Sequence, residues 1–201
     1  MSAGEVEIVR GLPEALREEV GILFEQAFAQ KMAVAIPDEA RRRVVMDQAF
    51  CLEHAFGAMV SGKLIGVLGL RSRAASFTSG MTYRSLIREL GIVSGHRAAL
   101  FFAMIERKPR KAELIIDCVA VDRHSRGLGV GSKLLAAAID VATAENFNTL
   151  SLEVVDTNPN ARRLYERLGF EETKTQKLGI FSKWFGFKAV SILSMDTDVS
   201  C

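Results

Sequence analysis

Three cysteines, Cys51, Cys118 and Cys201, are odd in number and widely spaced, with no CxxC pair or His cluster beside them. That excludes a disulfide framework and a zinc site and leaves three free thiols. Charge of either sign is missing in excess too: 26 basic against 24 acidic residues give a net +2. No protein-wide field therefore argues for nucleic-acid binding, and any phosphate must be held by a local device. The longest apolar stretch, Ala98 to Ile105, is far short of the ~20 residues that span a bilayer. The acidic start lacks the basic-then-apolar order of a signal peptide, so a cytoplasmic protein with no membrane partner is expected. Internal repeats and low-complexity tracts are absent as well.

What is present is an ordinary globular composition, 49% hydrophobic and 25% charged, which leaves no room for a long disordered tail. With about 150 residues per domain as a guide, residues 1–201 are expected to form a single domain. Glu5 to Arg10 alternates like a strand, and Leu16, Val20, Leu23, Phe24, Ala27 and Phe28 recur at helical spacing. Pro37-Asp38 opens a second helix toward Ala49. Ala55 to Val60 and Leu64 to Leu70 are short apolar runs around Ser61-Gly62-Lys63, a hairpin signal. Ser76 to Arg107 is expected to be helical, interrupted at Gly80, Gly91 and Gly95.

Leu114 to Val121 is an almost unbroken apolar run, as in a strand buried on both faces, and is the candidate centre of the sheet. An amphipathic helix, Gly129 to Glu145, and a strand, Leu150 to Val155, follow; then come a helix, Pro159 to Leu168, and strands Phe170 to Leu178 and Ala189 to Met195.

Between the central strand and its helix lies Arg126-Gly127-Leu128-Gly129-Val130-Gly131-Ser132. Glycines let backbone approach an anion without Cβ clashes, while free N–H groups and the helix dipole favour negative charge. A tight turn before a helix would look the same. Two known phosphate cradles do not fit. A P-loop needs Gly-Lys before Ser or Thr, but Gly131 is followed by Ser132 and then Lys133. A dinucleotide fingerprint would need Gly or Ala at position 132 or 134 and finds Ser132 or Leu134.

The loop and its strand resemble the R/Q-x-x-G-x-G/A signature of the GNAT superfamily of N-acetyltransferases. Asn158-Pro159-Asn160-Ala161-Arg162-Arg163-Leu164-Tyr165-Glu166-Arg167-Leu168-Gly169-Phe170 is similar to that family's second hallmark, N-x-x-A-x-x-L-Y-x-x-x-G-F. From physics alone, Asn158 before Pro159 is a natural N-cap, and Ala161, Leu164, Tyr165 and Leu168 share one apolar face, so a capped core helix also accounts for the segment. The resemblance implies a mixed α/β fold: a twisted, mostly antiparallel central sheet with a splayed parallel strand pair, flanked by helices. Acetyl-CoA is implied as co-substrate, with no metal. It would lie between the Ile115 and Leu152 strands, its pantetheine arm along the backbone of Val119, Ala120 and Val121 and its pyrophosphate on the N–H groups of Arg126 to Ser132.

By the same resemblance Tyr165 is the general acid that meets the departing thiolate, since a phenol supplies a proton or a hydrogen bond, and Asn158 contacts pantetheine or substrate. Backbone N–H near Val119 would hold the developing oxyanion. The acceptor must be a neutral amine, and amines near pH 7 are largely ammonium, so a base or a water chain is needed. Glu153 is similar in placement to the glutamate used by the ribosomal-protein N-terminal acetyltransferase branch; an outward-facing strand residue is the alternative. Asp117, inside the buried strand, is either functional or a satisfied structural carboxylate. His124 reads as an exposed turn residue. Arg107 to Lys111 reads as a solvated turn or a contact to the CoA ribose phosphate.

The expected activity is acetyl transfer to an amine by direct attack within a ternary complex. Its acceptor would be a small molecule, or else a protein N-terminus or lysine; a non-catalytic acetyl-CoA sensor is the reading from a different class. Ser76 to Arg107 would form the acceptor region, with Phe101, Phe102 and Met104 either as an apolar wall or as part of a helix packed against the core. The resemblance also allows a homodimer, with Ala189 to Met195 as a pairing edge.

Overall fold

The computed structural model describes residues 5–179 and 182–197; Cys201 lies outside them. The described strands form one sheet of seven, in the order β1-β2-β3-β4-β5-β7-β6. They are β1 (Glu7–Arg10), β2 (Ala55–Val60), β3 (Lys63–Arg71), β4 (Glu113–Val121), β5 (Thr149–Val155), β6 (Glu171–Lys177) and β7 (Ala189–Asp196). Only β4 and β5 run parallel, and every other pairing is antiparallel. The helices are α1 (Arg17–Ala33), α2 (Glu39–Ala49), α3 (Tyr83–Leu90), α4 (Ile92–Ile105), α5 (Val130–Ala144), α6 (Pro159–Arg167) and the short α7 (Ser182–Phe185). This is the mixed α/β arrangement that the sequence implies.

Two apolar clusters explain why β4 reads as a continuous apolar run. On one face, Leu114 and Ile116 pack with Val130, Leu134, Leu135 and Ala138 of α5; on the other, Cys118 and Ala120 join Val20, Leu23 and Phe24 of α1. The strand changes face at a bulge. Gly69 of β3 stands opposite Cys118 and Leu70 opposite Ile116, so Asp117 is the extra residue. A strand covered on both sides by helices keeps no polar alternation.

The hairpin between β2 and β3 turns through Ser61 (φ 50°) and Gly62 (φ 79°), the left-handed pair that a two-residue hairpin turn requires. Asp38 caps α2 by accepting from the Arg41 N–H at 2.7 Å. Arg42, 4% exposed, ties α2 to α1 through an ion pair with Glu25.

Two expectations need correction. Ser76 to Gly80 is not helical, and helix begins only at Tyr83, behind the reciprocal cap of Thr82 and Ser85. Gly91 (φ 80°) does separate α3 from α4, but Gly95 lies inside α4. A Cβ there would come within 2.8 Å of the Ile87 backbone, so this glycine lets two helices touch rather than breaking one. The terminal strand is not an edge either. β7 is bonded to β5 on one side and β6 on the other, so the edges are β1 and β6. β6, Glu-Glu-Thr-Lys-Thr-Gln-Lys and exposed throughout, has the charge that protects an edge from pairing.

Candidate active site

The β4–β5 pairing runs from Glu113↔Thr149 to Ile116↔Leu152 and stops there. β4 continues along β3 as far as Val121, and β5 continues along β7 as far as Val155. The parallel strands therefore fork. Val119, Ala120 and Val121 lie beyond the last rung, so backbone groups on their β5 side have no ladder partner. Asp117 and Glu153 are the first residues past it, one on each arm.

The glycine loop sits where β4 leaves the sheet. Gly127 (φ 80°) and Gly129 (φ 78°) are both left-handed, and Gly129 caps α5 without any side-chain hydrogen bond. Ser125 N–H bonds to Asp122 and Lys133 N–H to Gly129, but no N–H from Arg126 to Ser132 donates in the loop and turn hydrogen bonds of the described residues. Free amides thus lead into the positive end of a helix. Arg126 itself turns back, its Nε donating to the Val121 carbonyl at 3.2 Å. Gly131 serves a different purpose. A Cβ there would lie 3.3 Å from Leu164 Cδ2, so its absence lets α6 close on the first turn of α5. Such a cradle fits a diphosphate, whose charge and close approach need bare backbone amides.

Asn158 caps α6, its Oδ1 accepting from the Ala161 N–H at 3.2 Å. Tyr165 is 9% exposed and packs edge-on to Phe170, the ring centroids 6.2 Å apart. Burial, and after it the nearby Cys118 thiol, push its phenol up to about 12. Tyr165 therefore keeps its proton throughout the physiological range. Cys118 is fully buried, and burial followed by the Asp117 charge pushes its thiol well up as well.

The two carboxylates differ. Asp117 is fully engaged: Oδ1 pairs with Arg71 Nη2 at 2.7 Å, and Oδ2 accepts from the Thr78 hydroxyl at 3.0 Å. Glu153 has a side chain 32% exposed, and one oxygen lies 3.6 Å from Arg107 Nε. Lys31, half-buried in the last turn of α1, looks onto the same group. Burial lowers its pKa, the charges of Glu153 and Asp117 oppose that, and Arg71 reinforces it. After β6, Phe185 stacks on Phe101 of α4 at 5.2 Å, and Gly186 approaches Gln30 of α1.

The basic turn after α4 is not solvated throughout, as the sequence reading had it. Arg107 turns inward, donating from Nη1 to Glu113 at 2.7 Å and from Nη2 to Ser151 at 2.6 Å, away from any ribose phosphate on the loop. Phe102 is buried, Phe101 half-buried and Met104 62% exposed. His124 is exposed, and its N–H bonds to the Asp122 side chain.

A family model described as the acetyltransferase (GNAT) family matches residues 22–170, well over half of the chain. The chain belongs to the GNAT family. The fork, the amide loop and α6 all lie inside the matched stretch. Four curated acetyltransferases align, over 21% to 60% of their own lengths. With the 5-NmdU N-acetyltransferase of Pseudomonas phage PaMx11, identity is 31% over 87 residues, 41% of this chain and 60% of that protein. Among solved structures, an N-acetyltransferase from Staphylococcus aureus Mu50 superposes with a TM-score of 0.65 at 16% identity, covering 97% of this chain and all of that one. YncA from Salmonella typhimurium, solved with acetyl-CoA, gives 0.61 at 16% identity over 98% and 97% of the two chains. At such identities the likeness is one of fold. The GNAT family is one of acetyltransferases.

Lys31, Arg71, Glu113 and Ser151 went unnoticed in the sequence, and Arg107 was noticed only as part of a basic run. Lys31 had a signal: it falls one turn beyond Phe24, Ala27 and Phe28 on the apolar stripe of α1. Ser151 had a weaker one, a hydroxyl inside an apolar strand.

Proposed function

We propose that this GNAT domain acetylates an amine by direct attack within a ternary complex, with Glu153 receiving the amine's proton and Tyr165 facing the departing sulfur. The observation that carries this reading is the fork: β4 and β5 part at Ile116↔Leu152, with a run of free amides at one end and an accessible carboxylate at the branch. When bound, acetyl-CoA supplies an activated acyl group and a thiolate leaving group.

The chain's part is to hold and to polarise. Arg126, Gly127, Leu128, Gly129, Val130, Gly131 and Ser132 present N–H groups to the pyrophosphate, and the free backbone of Val119, Ala120 and Val121 takes the place of a strand beside pantetheine. The Asn158 Oδ1 is spent on its cap, so only its amide nitrogen is left to reach the ligand. Asp117, with both oxygens engaged, fits structural bracing better than proton transfer. Tyr165 at about 12 faces a thiol of ordinary pKa ~8.5, and full proton transfer would be uphill by roughly 5 kcal/mol. It serves as a hydrogen-bond donor to the sulfur rather than as a complete acid.

On this reading the contacts of Phe185 with Phe101 and of Gly186 with Gln30 flank the acceptor side, where an extended peptide would need an open groove. That supports a small amine, or a chain terminus entering end-on, as acceptor. Calorimetric titration with acetyl-CoA, NAD and ATP in parallel, followed by an amine screen, tests the reading. Micromolar binding of acetyl-CoA alone, with turnover of at least one amine, is expected. Binding of a nucleotide in its place would overturn the assignment, and tight acetyl-CoA binding with no turnover would leave a sensor.

A further inference from the structure

Arg107 stands just beyond α4, in a charged turn that the family's hallmarks do not include, yet its guanidinium is mostly buried between β4 and β5. Nη1 bonds to Glu113 Oε1 at 2.7 Å and Nη2 to Ser151 Oγ at 2.6 Å. Ser151 in turn donates to Glu113 Oε1 at 2.7 Å, and the Arg110 N–H donates to Glu113 Oε2 at 2.7 Å. Ser151 is fully buried and Glu113 only 5% exposed. Burial alone would raise the Glu113 carboxyl, but the bonds from Arg110, Ser151 and Arg107 bring it below the usual carboxylate range, so the group stays charged. A planar guanidinium held by both terminal nitrogens cannot rotate, and its third donor direction is fixed with it.

That third donor is Nε. It is buried, has no hydrogen-bond partner among the described residues, and lies 3.6 Å from Glu153 Oε1. Glu113 and Ser151 sit on the closed side of the fork, and Glu153 is the first residue on its open side. A network rooted in the last paired rungs thus places one unused donor 3.6 Å from the carboxylate where the strands part. A buried donor without a partner is costly, and the nearest anion to relieve it is Glu153.

We propose that Arg107 is the positioning residue of Glu153: by holding Oε1 from the closed side of the fork, it leaves Oε2 directed at the acceptor amine. The cations facing this carboxylate are Arg107 from the turn after α4 and Lys31 from α1; Asp117 and Arg71 lie beyond, already paired with each other. Lys31 is half-buried and joins no ion pair among the described residues, so it adds charge without fixing geometry. Of the two cations that face the carboxylate, Arg107 is the one held on two sides. The inference rests on Glu153 being the base in the reading above.

The test uses the full chain with Arg107→Gln, Arg107→Lys, Glu153→Gln, Glu153→Ala and the Arg107→Gln/Glu153→Gln double variant. Acetyl-CoA affinity is measured by calorimetry, and kcat and KM with whichever amine the screen yields. Arg107→Gln should lower kcat by roughly tenfold or more, the scale of a misplaced group, and leave acetyl-CoA affinity within about twofold. Arg107→Lys should recover part of the loss. The double variant should be no slower than Glu153→Gln alone, because two residues acting as one unit are not additive.

A readout free of catalysis is the exchange of the Arg107 Nε–H, followed by nitrogen-edited NMR without ligand; it should quicken in Glu153→Ala. An undiminished effect of Arg107→Gln in the Glu153→Gln background, or Nε–H exchange indifferent to Glu153→Ala, would overturn the proposal. Should Glu153→Gln itself leave kcat at the wild-type value, the reading of Glu153 as base falls, while the Nε–H exchange still reports whether Arg107 holds that carboxylate. If Arg107→Gln fails to fold because Glu113 is stranded, Arg107→Lys and Glu153→Ala carry the test.

Discussion

The two sides of the fork are built by different means. On the α5 side the proposed recognition is nearly all backbone: amides from Arg126 to Ser132, two left-handed glycines and a helix terminus, contiguous in sequence. On the α1 side it is all side chains, brought from the end of α1, the end of β3, the turn after α4 and β5. A diphosphate offers every relative the same charge and shape, and a backbone cradle suffices for it. The acceptor face has no such constant. On the proposed reading its chemistry is assembled from residues far apart in the chain, and specificity would be set there.

The comparison breaks most sharply at Glu153. Glu153→Gln should cost about 10²–10⁴-fold in kcat, the usual worth of a general base, with acetyl-CoA affinity unchanged by calorimetry. If both fall together, the two sides are not separable. Gly129→Val attacks the other side, forcing a β-branched residue to φ 78° at a strain of roughly 1–3 kcal/mol. Acetyl-CoA binding should weaken by roughly ten- to hundredfold, and an unaltered titration would remove the loop from the site.

Between the two sides stands Tyr165. Tyr165→Phe should lower kcat by roughly tenfold, the worth of one hydrogen bond to a charged sulfur, while packing against Phe170 is kept. It should also alter behaviour in alkali. The folded-state pKa of Tyr165, about 12, exceeds the unfolded value of about 10. The folded chain therefore holds that proton where the unfolded chain has lost it, and stability should fall as pH rises from about 10 toward 12. Thermal melts across that interval should show a shallower decline in Tyr165→Phe. The smallest effect on turnover is expected from Asp117→Asn, which should cost about 1–3 kcal/mol in urea unfolding by weakening the hold on Arg71 and Thr78, with acetyl-CoA affinity kept.

The same division decides what could be read from the sequence. Strand β4, the glycine loop, α5, β5 and the Asn158 cap were all legible, because each depends on neighbours a few residues away: periodicity, a turn, a cap. The family followed from the resemblance of the loop and the Asn158 segment to two hallmark motifs, and the expected fold from that resemblance. The fate of Ser76 to Arg107 was not, because Gly95 signals a break locally and a close helix contact in the folded chain. Nor was the inward turn of Arg107, whose partners Glu113 and Ser151 come from two different strands. A run of basic residues carries no hint of which one will be buried. β7 read as an edge because it comes last in the chain, but position in sequence is not position in a sheet.

Four rungs join β4 to β5, and beyond them the two arms of the sheet are held apart. Along the opening, the backbone of Val119 to Val121 has no ladder partner on its β5 side. A ligand lying there would finish the sheet with a piece that the gene does not encode. Part of the molecule's cohesion would then be on loan, returned whenever the product departs and borrowed again with the next donor.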